Sequence, residues 1–208
     1  MQILQLISLL LDYPTPELVA AKDELLAVVA ASDLPQSNKD GLSAFTSQRC
    51  GADLMDWQSE YDGLFERGRS LSLLIFEHVH GESRDRGQAM VDLQAQYTEA
   101  GLDIGVRELP DYLPLYLEFL STQGAENAQI GLEEIAPILA VLTCRLEQRE
   151  SNYAALFQSL LVLSAAEVDL ADIKAQIATE KRDDTPKALD KVWEEEMVTF
   201  MSAEQSNS

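Results

Sequence analysis

The chain has 208 residues, 46% of them apolar and 25% charged. That suffices for one domain burying roughly 70% of its unfolded surface, and it excludes a disordered or fibrous class. Thirty-six acidic against fifteen basic side chains leave a formal charge of −21. Such a field disfavours nucleic acid and anionic membrane surfaces as partners; it suits a cationic partner or serves solubility alone.

The chain opens on MQILQLISLLLDYPTPE, an apolar run of about eleven residues against the roughly 20 that span a bilayer, with no basic leader and no small-residue cleavage site. It predicts a first amphipathic helix over 2–12 and no membrane insertion. Cys50 and Cys144 lack metal-ligand spacing, which suits a reducing cytoplasm. Thr15, followed by Pro16 and Glu17, predicts the cap of a second helix that runs to about Ser32.

Helices at about 38–49 and 53–66 follow, the latter with Leu54, Trp57, Tyr61, Leu64 and Phe65 at helical spacing. The Leu-rich run from Ser70 to His80 reads as a buried helix, with a strand left open. Ser83 starts a helix that stops at Gly101, and Asp111 opens another, with Pro114 in its first turn, that Gly124 ends. A long helix is expected from Gly131 to Arg149, bent at Pro137, and further helices over 152–164, about 166–181 and 187–200. The expectation is an all-α, single-domain multi-helix bundle of about 8–10 helices over 1–200, with a disordered tail at 201–208.

Three stretches invite chemistry. In FEHVHGESRDRG, a helix would put His78 and His80 about 200° apart, whereas a strand would put both on one face with Glu82 nearby. No metal site and no cofactor are expected. Ser83 lies near His80, but no nucleophile elbow surrounds it. Arg84 and Arg86 at a helix start could hold an anion, although Glu77, Glu82 and Asp85 supply charge enough to pair them.

The second stretch is Arg67 and Arg69 in ERGRS, placed by an eleven-residue helix about 16 Å from the Arg84–Arg86 pair. The third is RELPDYLPLYLEFL, whose aromatics and leucines form either core or a groove for an amphipathic helix, rimmed by Glu108, Asp111 and Glu118. A small metal- or nucleotide-binding regulator or enzyme centred on residues 77–86, or an adaptor for some other client, is the alternative.

The segments YDGLFERGRSLSLLIFEHVHGESRDRGQAMVDL (61–93), RELPDYLPLYLEFL (107–120), IAPILAVLTCRLEQRESNYAALF (135–157) and RDDTPKALDKVWEEE (182–196) resemble the NarJ family of nitrate reductase assembly chaperones, within the TorD/DmsD-like group of molybdoenzyme maturation proteins. The resemblance implies a TorD-like, cytoplasmic, non-enzymatic chaperone. Its client would be the N-terminal segment of the nitrate reductase catalytic (alpha) subunit, kept competent for molybdenum cofactor insertion and membrane-complex assembly. The insertion machinery is a second expected partner. Client segments in this group are helix-forming and related to twin-arginine signal peptides, which suits a chain of this charge.

By the same resemblance, the expected client-binding residues are Tyr61, Phe65, Arg67, Arg69, Phe76, Glu77, His78, His80, Glu82, Arg84, Asp85, Arg86, Pro110, Asp111, Tyr112, Pro114, Tyr116 and Glu118. Asp85 and Arg86 read as structural members of this set, His78 and Arg69 as contacts. The family pattern also implies a longer C-terminal extension than the residues after WEEEMVTF.

Overall fold

The apolar face of the first helix organises everything around it. The computed structural model describes residues 1–79, 84–105, 108–180 and 183, the side chain of Arg84 excepted. Helix α1 (Gln2–Leu11) buries Ile3, Leu4, Leu6, Ile7, Leu10 and Leu11, too many for one stripe, because it is covered by α3 (Lys22–Ala31), α8 (Leu113–Thr122) and α11 (Ala154–Ser164). Its antiparallel run along α8 is pinned at both ends. The Met1 ammonium donates to the Ser121 carbonyl, the Ser8 hydroxyl to Pro114 O (2.7 Å) and the Tyr112 hydroxyl to Asp12 Oδ1 (3.0 Å).

Thr15 caps α2 (Pro16–Ala20) by accepting from Leu18 N, as the sequence predicts. The single helix expected to Ser32 is broken at Ala21, where α3 begins. Helix α4 (Gln36–Arg49) runs antiparallel to α11, with Asn38 beside Ser159 and Gln48 beside Asn152. Helix α5 (Leu54–Tyr61), capped by Asp53, widens into a single π turn over Asp62–Glu66.

This widening brings Tyr61 and Phe65 into one aromatic knot with Phe45, Trp57 and Tyr153. Ring centroids lie 4.8 Å (Phe45–Tyr153) and 5.0 Å (Phe65–Tyr153, Tyr61–Phe65) apart, and Trp57 Nε1 donates to the Tyr153 hydroxyl at 2.6 Å. Arg49 lies over Tyr153 and Phe45 while bonding Glu60 and Asn152.

Beyond the knot come α6 (Ile75–Val79), α7 (Arg84–Glu99), α8, α9 (Ala125–Glu134), α10 (Ala136–Gln148), α11 and α12 (Leu170–Ile177). The long helix expected from Gly131 is therefore two. Ile135 breaks it, α9 begins six residues earlier than expected, and Pro137 falls in the first turn of α10, where its missing N–H costs little. Twelve α-helices among the described residues exceed the expected count through such breaks. Helices α1–α11 contribute to one contiguous core and α12 packs against α10, so the protein is a single all-α domain. The helix expected over 187–200 and the tail at 201–208 lie outside the described residues.

Candidate functional site

Residues 70–74 depart most from the sequence expectation. They are not helical; a turn at 70–71 leads into a short stretch that pairs with residues 111–113. Leu113 N donates to Leu73 O (2.8 Å) and Ile75 N to Asp111 O (2.9 Å), an isolated antiparallel bridge between Leu74 and Tyr112. The Ser72 hydroxyl accepts from Leu74 N (3.2 Å), a local bond that competes with helix. Among the described residues, only Ile75–Val79 of the expected eleven-residue helix are helical. Asp111 extends the clasp, since its Oδ2 accepts from Phe76 N (3.1 Å) at the start of α6.

Asp111 is fully buried, and Arg86 reaches it from α7. The guanidinium lies 3.9 Å from Asp111 Oδ2 and 3.3 Å from Glu77 Oε1. The first is an ion pair without a hydrogen bond. Asp111 Oδ1 and Arg86 Nε are buried with no hydrogen-bond partner among the described residues. Burial pushes the Asp111 carboxyl above the usual carboxylate range, against the opposing pull of the Phe76 N–H and Arg86. His78 Nε2 lies 2.8 Å from Ser72 O, and burial pulls that imidazole below its ordinary value.

The expected client-binding residues fall into groups. Tyr61, Phe65, Pro110, Asp111, Pro114 and Tyr116 are buried. Tyr61 donates to Leu11 O (3.0 Å), and the Pro110 carbonyl accepts from Tyr97 (2.8 Å). Phe76, Glu77, His78, Arg86 and Tyr112 are half-buried, and Arg67, Arg69, Asp85 and Glu118 are exposed. His80 and Glu82 lie outside the described residues. Among the described residues, no three His, Cys, Asp or Glu side chains converge as a metal site.

One of several concave features among the described residues lies on another face of α8. Helices α7, α8 and α9 enclose a groove of about 430 Å³, floored by Tyr116, Phe119 and Leu120 and edged by Ile130, Glu99 and Glu134. Ile130 is half exposed. Gly131 sets the depth of the floor: a Cβ there would stand 2.5 Å from Leu120 Cδ2 and 2.9 Å from the Tyr116 oxygen, which itself donates to Gly131 O (3.2 Å). The charged lining residues are both acidic, so the rim is acidic, but it is made of Glu99 and Glu134 rather than Glu108, Asp111 and Glu118. The sequence reading missed α9 because AENAQIG is polar and glycine-containing.

The protein is thus all-helical, with an acid-edged groove of mixed apolar and polar lining between three helices. The chain belongs to the nitrate reductase delta subunit family, whose model matches residues 31–159. It is 52% identical over 200 residues to the "Nitrate reductase molybdenum cofactor assembly chaperone NarJ" of Escherichia coli strain K12, covering 96% of this chain and 85% of that one. It is 50% identical over 201 residues to the "Probable nitrate reductase molybdenum cofactor assembly chaperone NarW" of the same organism (97% and 84%). A third relative, from Bacillus subtilis strain 168 and named as a probable NarJ, is 31% identical over 156 residues (74% and 84%). The matched region holds both the clasp and the groove. Among the described residues, no helix is long and apolar enough to cross a membrane.

Proposed function

We propose that this protein is a cytoplasmic, non-enzymatic assembly chaperone for nitrate reductase, acting while the molybdenum cofactor is acquired. It takes the N-terminal segment of the catalytic alpha subunit as an amphipathic helix in the α7–α8–α9 groove, and it works beside the cofactor insertion machinery. The relatives' names support the general role. The groove carries the finer one: Tyr116, Phe119, Leu120 and Ile130 offer apolar contact, while Glu99 and Glu134 complement a basic segment. The net charge of −21 steers such a partner inward.

Calorimetry with a synthetic N-terminal peptide of the alpha subunit tests this. The expected result is binding with a negative heat-capacity change, weakened about tenfold by Ile130→Glu at unchanged melting temperature. No binding at ~100 μM, or equal affinity for the variant, sinks the groove reading.

A further inference from the structure

One acid of the chain occupies a site that looks made for something larger. Asp183 Oδ2 accepts from Ser70 N (2.9 Å), and its Oδ1 accepts from the Ser70 hydroxyl (2.6 Å) and Arg149 Nη2 (2.8 Å). Gly68, at φ +106°, makes room: a Cβ there would stand 2.8 Å from the carboxylate. One turn earlier on the same face of α10, Arg145 donates to Ser70 O (2.8 Å) and grips Glu180 through Nε (3.1 Å) and Nη2 (2.9 Å). The Ser70 N–H and hydroxyl and the Arg149 guanidinium therefore meet at the Asp183 carboxylate, with the Arg145 guanidinium on the carbonyl of the same Ser70, in a strongly acidic protein.

We propose that Gly68–Ser70 with Arg145 and Arg149 is a phosphate-binding site, filled in this structure by the chain's own Asp183, and that a small phosphate monoester takes the same donors. Exposure supports the exchange. The Arg149 side chain is 6% exposed and so held in place, whereas Asp183 is 32% exposed and approachable from solvent. Charge chooses phosphate over carboxylate: with Glu180 and Asp183 displaced, two guanidinium groups face one ligand, which matches a dianion with three terminal oxygens. Arg67 and Arg69 flank Gly68, so four of the fifteen basic side chains belong to these two segments. This site is separate from the α7–α9 groove, and the inference does not rest on the client reading.

Calorimetry on the full chain, at constant ionic strength, decides it with inorganic phosphate, phenyl phosphate and acetate as probes. Asp183→Asn should bind both phosphates about tenfold more tightly than wild type and should prefer them to acetate, and adding Arg149→Met should abolish the gain. No gain in Asp183→Asn, or acetate equal to phosphate, overturns the proposal and leaves Asp183 a fold clasp. Should Asp183→Asn melt early, the Ser70 amide resonance of the wild-type protein gives the answer. Phosphate should shift it where chloride does not, and identical responses to both would refute the site.

Discussion

The aromatic knot and the polar clasp draw on neighbouring segments, residues 45–65 with Tyr153 and residues 70–79 with Arg86 and 111–113, yet they are held by opposite means. The knot stacks five rings, each within 5% exposure, and ties Trp57 to Tyr153 at 2.6 Å. Arg49 leaves Nε without a partner among the described residues, but both its terminal nitrogens are bonded and its guanidinium lies over two rings. The clasp instead rests on scattered polar contacts: two main-chain bonds between 73–75 and 111–113, one capping contact from Asp111, the Arg86–Glu77 pair at 3.3 Å and a loose ion pair at 3.9 Å, with two buried polar atoms lacking partners among the described residues. Redundant apolar contact resists change, whereas a few polar contacts in a buried setting can be rearranged at modest cost.

Tyr153→Ala should show the largest effect, because it removes the ring at the centre of the knot. A loss of about 3–5 kcal/mol in urea unfolding is expected, as for other large aromatic truncations. Tyr153→Phe keeps the ring and strands the Trp57 N–H, so a smaller loss of about 1–3 kcal/mol should follow. Equal losses for the two variants would mean that the hydrogen bond, not ring packing, holds the knot, and would erase the contrast with the clasp.

Asp111 probes the clasp at the next scale down. Asp111→Ala deprives the Phe76 N–H of its acceptor and leaves Arg86 with Glu77 alone, an expected loss of about 1–3 kcal/mol. Asp111→Asn keeps an acceptor and removes a carboxylate that burial already disfavours, so it should cost less than the alanine variant. Should the asparagine variant prove the worse of the two in the same unfolding assay, the ion pair at 3.9 Å is stronger than its length implies.

What the sequence disclosed follows the same divide. The apolar face of α1, the Thr15 cap with Pro16, and the burial of Trp57, Tyr61 and Phe65 are written in local spacing, and the all-helical class follows from them. The non-helical run of residues 70–74 is not local: its partners, Asp111 and Leu113, lie some forty positions on, and tertiary pairing overrides the helical pattern of SLSLLIF. The break at Ala21 carries no glycine or following proline that would mark a helix end, whereas Pro137 stands two residues after the break at Ile135 and marks a helix start there rather than the bend expected. The groove was legible on the α8 side, through Tyr116 and the surplus aromatics. Its α9 side was hidden, because Gly131 and Ile130 matter through what they touch rather than through periodicity.

The smallest expected effect is the one with a pH signature. Burial, then Arg145, lower the His78 pKa beneath 6.5, while its bond to the Ser72 carbonyl and Glu77 pull the other way. The unfolded chain therefore protonates first. The folded state is unpenalised above pH 6.5 and loses stability as pH falls through 6.5 towards the lower folded value. Asp111, with its pKa raised above 3.8, works in the opposite sense: acidification through its folded value relieves a cost. A single pH profile mixes these contributions, so the measurement is a difference. His78→Gln keeps an N–H for the Ser72 carbonyl and cannot titrate; its melting temperature should match wild type above pH 6.5 and fall less steeply below it. Tyr153→Phe, made in the knot, should leave that slope unchanged. Parallel profiles for wild type and His78→Gln would show that the clasp holds its histidine no more tightly in one charge state than the other, and the polar region would then be as indifferent to pH as the aromatic one.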